Sequence, residues 1–358
     1  MTMKKMISLA LAACMALTLA VPVGAVATES QNSGEVKTVV QGSYSFVITE
    51  QTDEYGRVTR TYHRDLAMDA DDNSCDADST IAGDANDNYA EVKALLLVLG
   101  MEQDFIDNLS SETLEELASS QDFSGEVSYV KSDAKGNTEI VDEQTALRGS
   151  AISNQGDIST CEQDVDTFDN YIRVFHQVTH QGAGKFLYVT DARWLNMPRF
   201  KTDDSIGSSA QNCTATPGTG SGWYSYTKTN RSNGTVSDSG KNVIKTSDKY
   251  IVKGDEGWVG SAAIVNIPED DMDYKYTNFK AHYQYNGHIT NTSNHGWFMS
   301  IGTYCHTKAS ATFSGISIQL RSMSLKGNTE NIVGGLIGLR IGIAREAYAV
   351  PLEVEYNP

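Results

Sequence analysis

Two histidines four residues apart, His176 and His180, invite the first chemical reading of this 358-residue chain. On a helix, an HxxxH spacing sets both imidazoles on one face and makes a zinc pair. Here Val174, Phe175, Val178 and Thr179 surround them, and that β-branched and aromatic context predicts a strand. Four strand residues span roughly 13 Å, whereas zinc holds each ligand at about 2 Å, so the two cannot share one ion. Cys305 and His306 bring a thiol next to a base, but neighbours in a strand point to opposite faces and cannot form a dyad. His288 or His295 would have to reach Cys305 from other strands, and a buried structural cysteine is the expectation.

The acidic stretch around residues 65–80 offers Asp69, Asp71 and Asn73 at the first, third and fifth positions of a calcium loop. The rest of that loop fails, because Ser74 stands where glycine makes the turn and Thr80 where a bidentate glutamate closes the site. Asp84, Asn86 and Asn88 fail in the same way, with Tyr89 and Leu95 at those places. A solvated acidic loop with no cofactor is the expectation. Carboxylates for glycoside hydrolysis are abundant, yet the 46 Asp and Glu make any one pair uninformative. Neither a Gly-x-Ser-x-Gly elbow nor a phosphate-cradling glycine loop occurs.

Trp194, Trp223, Trp258 and Trp297 all lie in the second half, with Gly, Ser, Asn or Tyr within two residues of each. Aromatic rings on a sheet face stack on sugars or hold a partner surface, and a sandwich of this size also needs core aromatics. Near the C-terminus, Ile337, Leu339, Ile341 and Ile343 alternate with Gly338, Arg340 and Gly342. As a helix this is a small-residue stripe of membrane type, but it is too short and Arg340 breaks it. As a strand it has one apolar and one nearly bare face, suited to close approach by another sheet or chain.

These residues need elements to hold them. Apolar and β-branched residues flank the turns at Asp53–Gly56 and Asp133–Gly136, predicting two hairpins. Between them, Tyr89, Val92, Leu95, Leu96 and Leu99 recur at helical spacing up to Gly100. Met101, Phe105 and Leu109 predict a second short helix, and Leu114 and Leu117 a third with its N-cap at Ser110 or Ser111. Residues 148–170 are polar and aperiodic and predict a linker. From Tyr171 onward, about ten strand-like runs separated by turn residues predict an antiparallel β-sandwich or barrel. The whole is a mainly β chain with a small α+β module at its N-terminal end.

Lys4 and Lys5, an apolar run from Ile7 to Val21, and the triplet Ala25, Val26, Ala27 make a secretory signal peptide. Leu11, Ala12, Ala13 and Cys14 also match the box before a lipid-anchored cysteine, but Met15, Ala16 and Leu17 continue the apolar run instead of opening a polar tether. The expected order is therefore signal peptide 1–27, acidic α+β module 28–147, linker 148–170 and β-domain 171–358. Residues 28–170 carry 31 acidic against 8 basic residues, a net of −23, while 171–358 carry a net of +3. Such acidity repels nucleic acid and anionic surfaces. After processing no second apolar run is long enough for a stable membrane span.

Cys75, Cys161, Cys213 and Cys305 remain in the mature chain, an even count that permits two disulfides in an exported protein. A boundary near residue 170 makes the local pairs Cys75 with Cys161 and Cys213 with Cys305. The first functional expectation is a non-catalytic exported protein that binds a protein, glycan or cell-wall ligand through the tryptophans. One alternative is a secreted hydrolase using carboxylates or a Cys/His pair. Another is a bacteriocin-like toxin whose acidic first part is a pro-segment masking a β-domain that acts at a membrane through residues 309–346.

Overall fold

A strand with a layer against one face buries alternate residues, and one with layers against both faces buries nearly all of them. The runs Asn170–His180 (β6) and Lys185–Trp194 (β7) are of the second kind, and in the computed structural model they lie at the centre of three layers. The model describes residues 34–53, 57–64, 85–133, 138–155, 169–198, 201, 203–253, 257–290, 296–307, 318–326, 331–339 and 345–356.

The central layer is an antiparallel sheet. It runs in the order β1 (Glu35–Gln41), β2 (Tyr44–Thr52), β3 (Val58–His63), β4 (Asp122–Ser132), β6, β7, β15 (Tyr274–Ile289), β10 (Ser221–Asn230), β11 (Val236–Asp238). The short strands β5 (Thr138–Val141), β9 (Cys213–Ala215) and β12 (Asn242–Val243) add to its margins. The second sheet has the order β13 (Lys249–Lys253), β14 (Trp258–Asn266), β8 (Asp203–Gln211), β16 (Gly296–Thr307), β19 (Arg345–Tyr356). A separate two-stranded ribbon pairs β17 (Ile318–Lys326) with β18 (Asn331–Leu339).

The chain is thus mainly antiparallel β with two packed sheets, as its alternation predicts. Even-numbered residues of β6, Ile172, Val174 and Val178, face the second sheet's Ile206, Tyr304, Tyr348, Val350 and Leu352. On the other face, Phe175, Leu187, Val189 and Phe123 meet the helical layer, α1 (Ala85–Leu99), α2 (Gln103–Ile106) and α3 (Ser111–Ala118). Leu95, Leu96 and Leu99 of α1 are buried there, and Gly100 ends the helix at φ +109, a conformation that costs other residues strain. Ser110 caps α3, its Oγ accepting the Thr113 N–H at 3.1 Å.

Among the elements that escaped the sequence reading, two bear on the layers. Glu143–Gln155 (α4) forms a helix where polarity hides any apolar stripe, so it covers the first part of the expected linker. The strand β8, sequence DDSIGSSAQ, sits in the middle of the second sheet although Asp, Ser and Gly are poor strand formers. Its neighbours on both sides override that weak propensity. The sheet also crosses the expected boundary at residue 170: β4 pairs with β6 through eleven register positions, Asp122↔His180 to Ser132↔Asn170. Residues 34–358 accordingly form one compact unit.

Cys213 and Cys305 are both buried and neither is in a disulfide, which corrects the expected pair. Cys213 lies between the sheets, where it accepts a hydrogen bond from Tyr188 Oη at 3.2 Å. Cys305 follows the inward Tyr304 and therefore faces the outer side of the second sheet. The sheet itself separates the two thiols. Cys75 and Cys161 lie outside the described residues.

The two sheets approach closely at His176. A Cβ on Gly302 of β16 would stand 2.6 Å from His176 Cβ and Cγ, so only glycine fits there. Gly302→Ala is expected to lower the free energy of unfolding by about 1–3 kcal/mol. Urea unfolding followed by tryptophan fluorescence measures it, and an unchanged midpoint would mean that the sheets are not held at this distance.

Candidate functional site

The chemistry-bearing residues singled out by the sequence fall in three places. Some are enclosed between layers, some lie outside the described residues, and some sit beneath or beside the β17–β18 ribbon.

His176 belongs to the first group. Its Nδ1 is 2.9 Å from the Val189 carbonyl oxygen, which can only accept, so Nδ1 carries the proton. Nε2 is left as the acceptor facing Ser300 Oγ at 2.8 Å on the opposite sheet. Burial pushes its pKa down to about 4, against a small opposing effect of the Val189 carbonyl. His180, four residues on, has different partners: its Nδ1 is 3.2 Å from Asp122 Oδ2, and His63 Nδ1 meets Oδ1 of the same carboxylate. The two histidines of the HxxxH spacing are therefore separate, as the strand geometry requires.

Two further carboxylate–imidazole pairs are enclosed. Asp204 lies 3.0 Å from His306 Nδ1 and accepts the Tyr304 hydroxyl at 2.6 Å. Asp191 lies 2.6 Å from His282 Nδ1, and the His282 ring continues through Gln284 to Thr113 on α3. Glu126, next to His176 in the register, is buried; burial raises its pKa to about 7 although Arg57 works in the other direction. The Asp204 and Asp191 pairs each join neighbouring strands of one sheet, and the Gln284–Thr113 bond carries the second of them across to the helical layer. No set of three or more His, Cys, Asp or Glu among the described residues is arranged to hold a metal ion. Asp69, Asp71 and Asn73 lie outside the described residues.

The four tryptophans do not converge. Trp194, Trp223 and Trp258 are 2%, 6% and 3% exposed, whereas Trp297 is 60% exposed. Trp194 Nε1 donates to Tyr304 Oη at 3.2 Å within the sandwich, and Trp223 stacks on Phe105 and His282 under the helices. Trp258 packs with Ile301 on the outer side of the second sheet. The same outer side carries Trp297, two positions along β16 from Met299 and four from Ile301.

That outer side is where β17–β18 lies, its backbone passing over β8, β14 and β16. Residues alternate along each strand, so the covered face is Ser205, Gly207 and Ser209 of β8, Gly260 and Ala262 of β14, and Ile301, Thr303 and Cys305 of β16. All are buried, and most are small. The sequence signal for this floor was present, since small residues recur at every second position of β8 and β14. It is invisible until a strand is assigned to β8.

The connectivity of the ribbon is unusual. Strands β16 and β19 pair with each other directly through twelve positions, Gly296↔Tyr356 to Thr307↔Arg345. The ribbon is an insertion between two strands that are already neighbours. Its own nine-position register sets Ile318 opposite Leu339 and Leu320 opposite Ile337, so these four positions share one face, with Gln319, Arg321, Leu336 and Gly338 on the other. Nearer the turn the apolar positions are spread over both faces: Val333 shares the first with Ser322 and Ser324, and Met323, Leu325 and Ile332 lie on the second. Among the described residues, no helix is long and apolar enough to cross a membrane.

Glu126 and His176 titrate in opposite senses. Glu126 stabilises the fold below about pH 4.5 and loses that contribution as pH rises to about 7; His176 stabilises above about pH 6.5 and loses its contribution as pH falls to about 4. Each contribution is of order 3 kcal/mol, and in the overlap they cancel. The stability of Glu126→Gln relative to the parent is expected to rise between pH 4.5 and 7, measured by urea unfolding at several pH values. A pH-independent difference would contradict the buried carboxyl.

No protein-family model matches the chain, and no curated protein matches it. Among solved structures it is similar to AvmM, which catalyses macrocyclization in alchivemycin A biosynthesis, at 8% identity and a TM-score of 0.22, covering 48% of this chain and 82% of that one. It is also similar to a pore forming protein at 7% identity and a TM-score of 0.24, covering 65% and 92%. At these scores neither bears on fold or activity.

Proposed function

We propose that this is an exported protein that acts on membranes by releasing the β17–β18 ribbon from the outer face of its second sheet. One observation carries the reading: β16 and β19 complete their own ladder, so the ribbon can leave without breaking a hydrogen bond of the sheet it lies on. Each ribbon strand has nine residues, Ile318–Lys326 and Asn331–Leu339, close to the 9–11 that cross a bilayer in a β-barrel. Neither contains Asp or Glu.

A single hairpin in lipid leaves its outer backbone groups unpaired, so crossing requires several copies closing into a barrel. Export through residues 1–27 fits this role. The acidic first part cannot be a detachable mask in this reading, because β4 is bonded to β6 along its whole length.

The test keeps the full chain and replaces 308–344 by a two-residue Asn-Gly turn joining Thr307 to Arg345, which are register partners. The shortened protein is expected to unfold cooperatively with an unchanged strand signature while losing dye release from liposomes. Parent protein that leaves vesicles intact at micromolar concentration would overturn the proposal.

A second reading, binding of an extracellular protein, glycan or cell-wall ligand, is favoured by Trp297, whose ring is the one exposed among the four tryptophans. Trp297→Ala is then expected to weaken retention on isolated walls or a glycan array at least tenfold while leaving the unfolding midpoint in place. Retention equal to the parent's would remove this reading.

A further inference from the structure

The face beneath the ribbon has a second property besides its small residues. Ser205 Oγ, Thr303 Oγ1 and Trp258 Nε1 are buried there without a hydrogen-bond partner. Ser205 and Thr303 are each only 1% exposed. They come from three adjacent strands, β8, β16 and β14, and all belong to the outward set: Thr303 is opposite Gly207, Ser205 is opposite Cys305, and Trp258 packs with Ile301.

Buried donors and acceptors are nearly always paired, because each unpaired one forfeits its bonds to water without replacement. We infer that Ser205, Thr303 and Trp258 keep the β17–β18 ribbon releasable, acting as a device that opposes docking. While the ribbon is down, two hydroxyls and an indole N–H are withheld from water. When it lifts, all three are solvated. Covering the apolar surface of Ile301 and the Trp258 ring favours docking, and withholding these polar groups from water opposes it, which brings the docked and released states closer in free energy.

A floor of Ala and Val at the same positions would serve the sheet equally well and would hold the ribbon permanently. The inference rests on the ribbon being the moving part of a membrane-active protein, and it specifies which residues regulate that movement.

The experiment compares the full-length parent with Ser205→Ala, Thr303→Val and the double variant, with Trp258→Phe as an independent removal of the third group. Ser205→Ala and Thr303→Val delete a buried polar atom and keep the shape of the side chain nearly constant, whereas Trp258→Phe removes the N–H together with part of the indole. Amide hydrogen exchange of residues 318–339 is expected to slow about tenfold for each group removed, with exchange in β6 and β7 unchanged, and dye release from liposomes is expected to slow in parallel. Ribbon exchange that is unchanged or faster in folded Thr303→Val and Trp258→Phe overturns the inference. Slower ribbon exchange with unaltered dye release would support the device and remove the membrane reading instead. Thr303→Ser, which retains the hydroxyl, is expected to exchange like the parent or faster, and slowing in that variant would also overturn it.

Discussion

Everything in this fold depends on the closeness of two sheets at one point, where the His176 ring fits against a glycine. Gly302 leaves the room, and the imidazole uses it to bridge from its own sheet, at the Val189 carbonyl, to Ser300 on the other. A neutral imidazole is the one common side chain that donates at one end and accepts at the other while presenting a flat apolar surface between. Burial enforces that neutrality. Around this contact the apolar residues of β6 and β7 are sealed on one side, and the helices seal the other.

Because the inner face of the second sheet is committed to this contact, its outer face is the one left to form a separate surface. Apart from Ile301 and the Trp258 ring, that surface is mostly Gly, Ser, Ala and Thr, and so offers little apolar area to whatever lies on it. Burial of a small side chain stabilises far less than burial of Leu or Phe. The ribbon therefore rests on weak ground by composition, and the unpaired hydroxyls weaken it further. Between the layers polar groups are paired instead: Asp204 with His306 and Asp191 with His282 are buried together, each carboxylate supplied with a partner.

The acidic first part of the chain takes on a different meaning in three dimensions. A contrast of −23 against +3 suggests two bodies. The structure instead shows β4 completing the ladder of β6, with basic residues of the second part drawn to acidic ones of the first. Arg173 and Arg193 both approach Glu102, and Lys280 meets Asp104. Charge asymmetry along a sequence is erased when the strands that carry it become neighbours.

Local pattern determined a good deal. Alternation announced the strands β6, β7, β15 and β16, the spacing of Leu95, Leu96 and Leu99 announced α1, and Ser110 marked the start of α3 because capping and periodicity are properties of consecutive residues. It also separated His176 from His180 and Cys305 from His306, since the two-residue period of a strand needs no tertiary information. What only the tertiary structure decided was pairing. β8 is a strand because β14 and β16 flank it, Trp194 and Trp223 are core because layers close over them, and Cys213 and Cys305 stand apart because a sheet runs between them. The ribbon's place outside the ladder of β16 and β19 is likewise a fact of register, which no stretch of residues read alone can contain, because a hydrogen bond between strands joins positions that the chain keeps far apart.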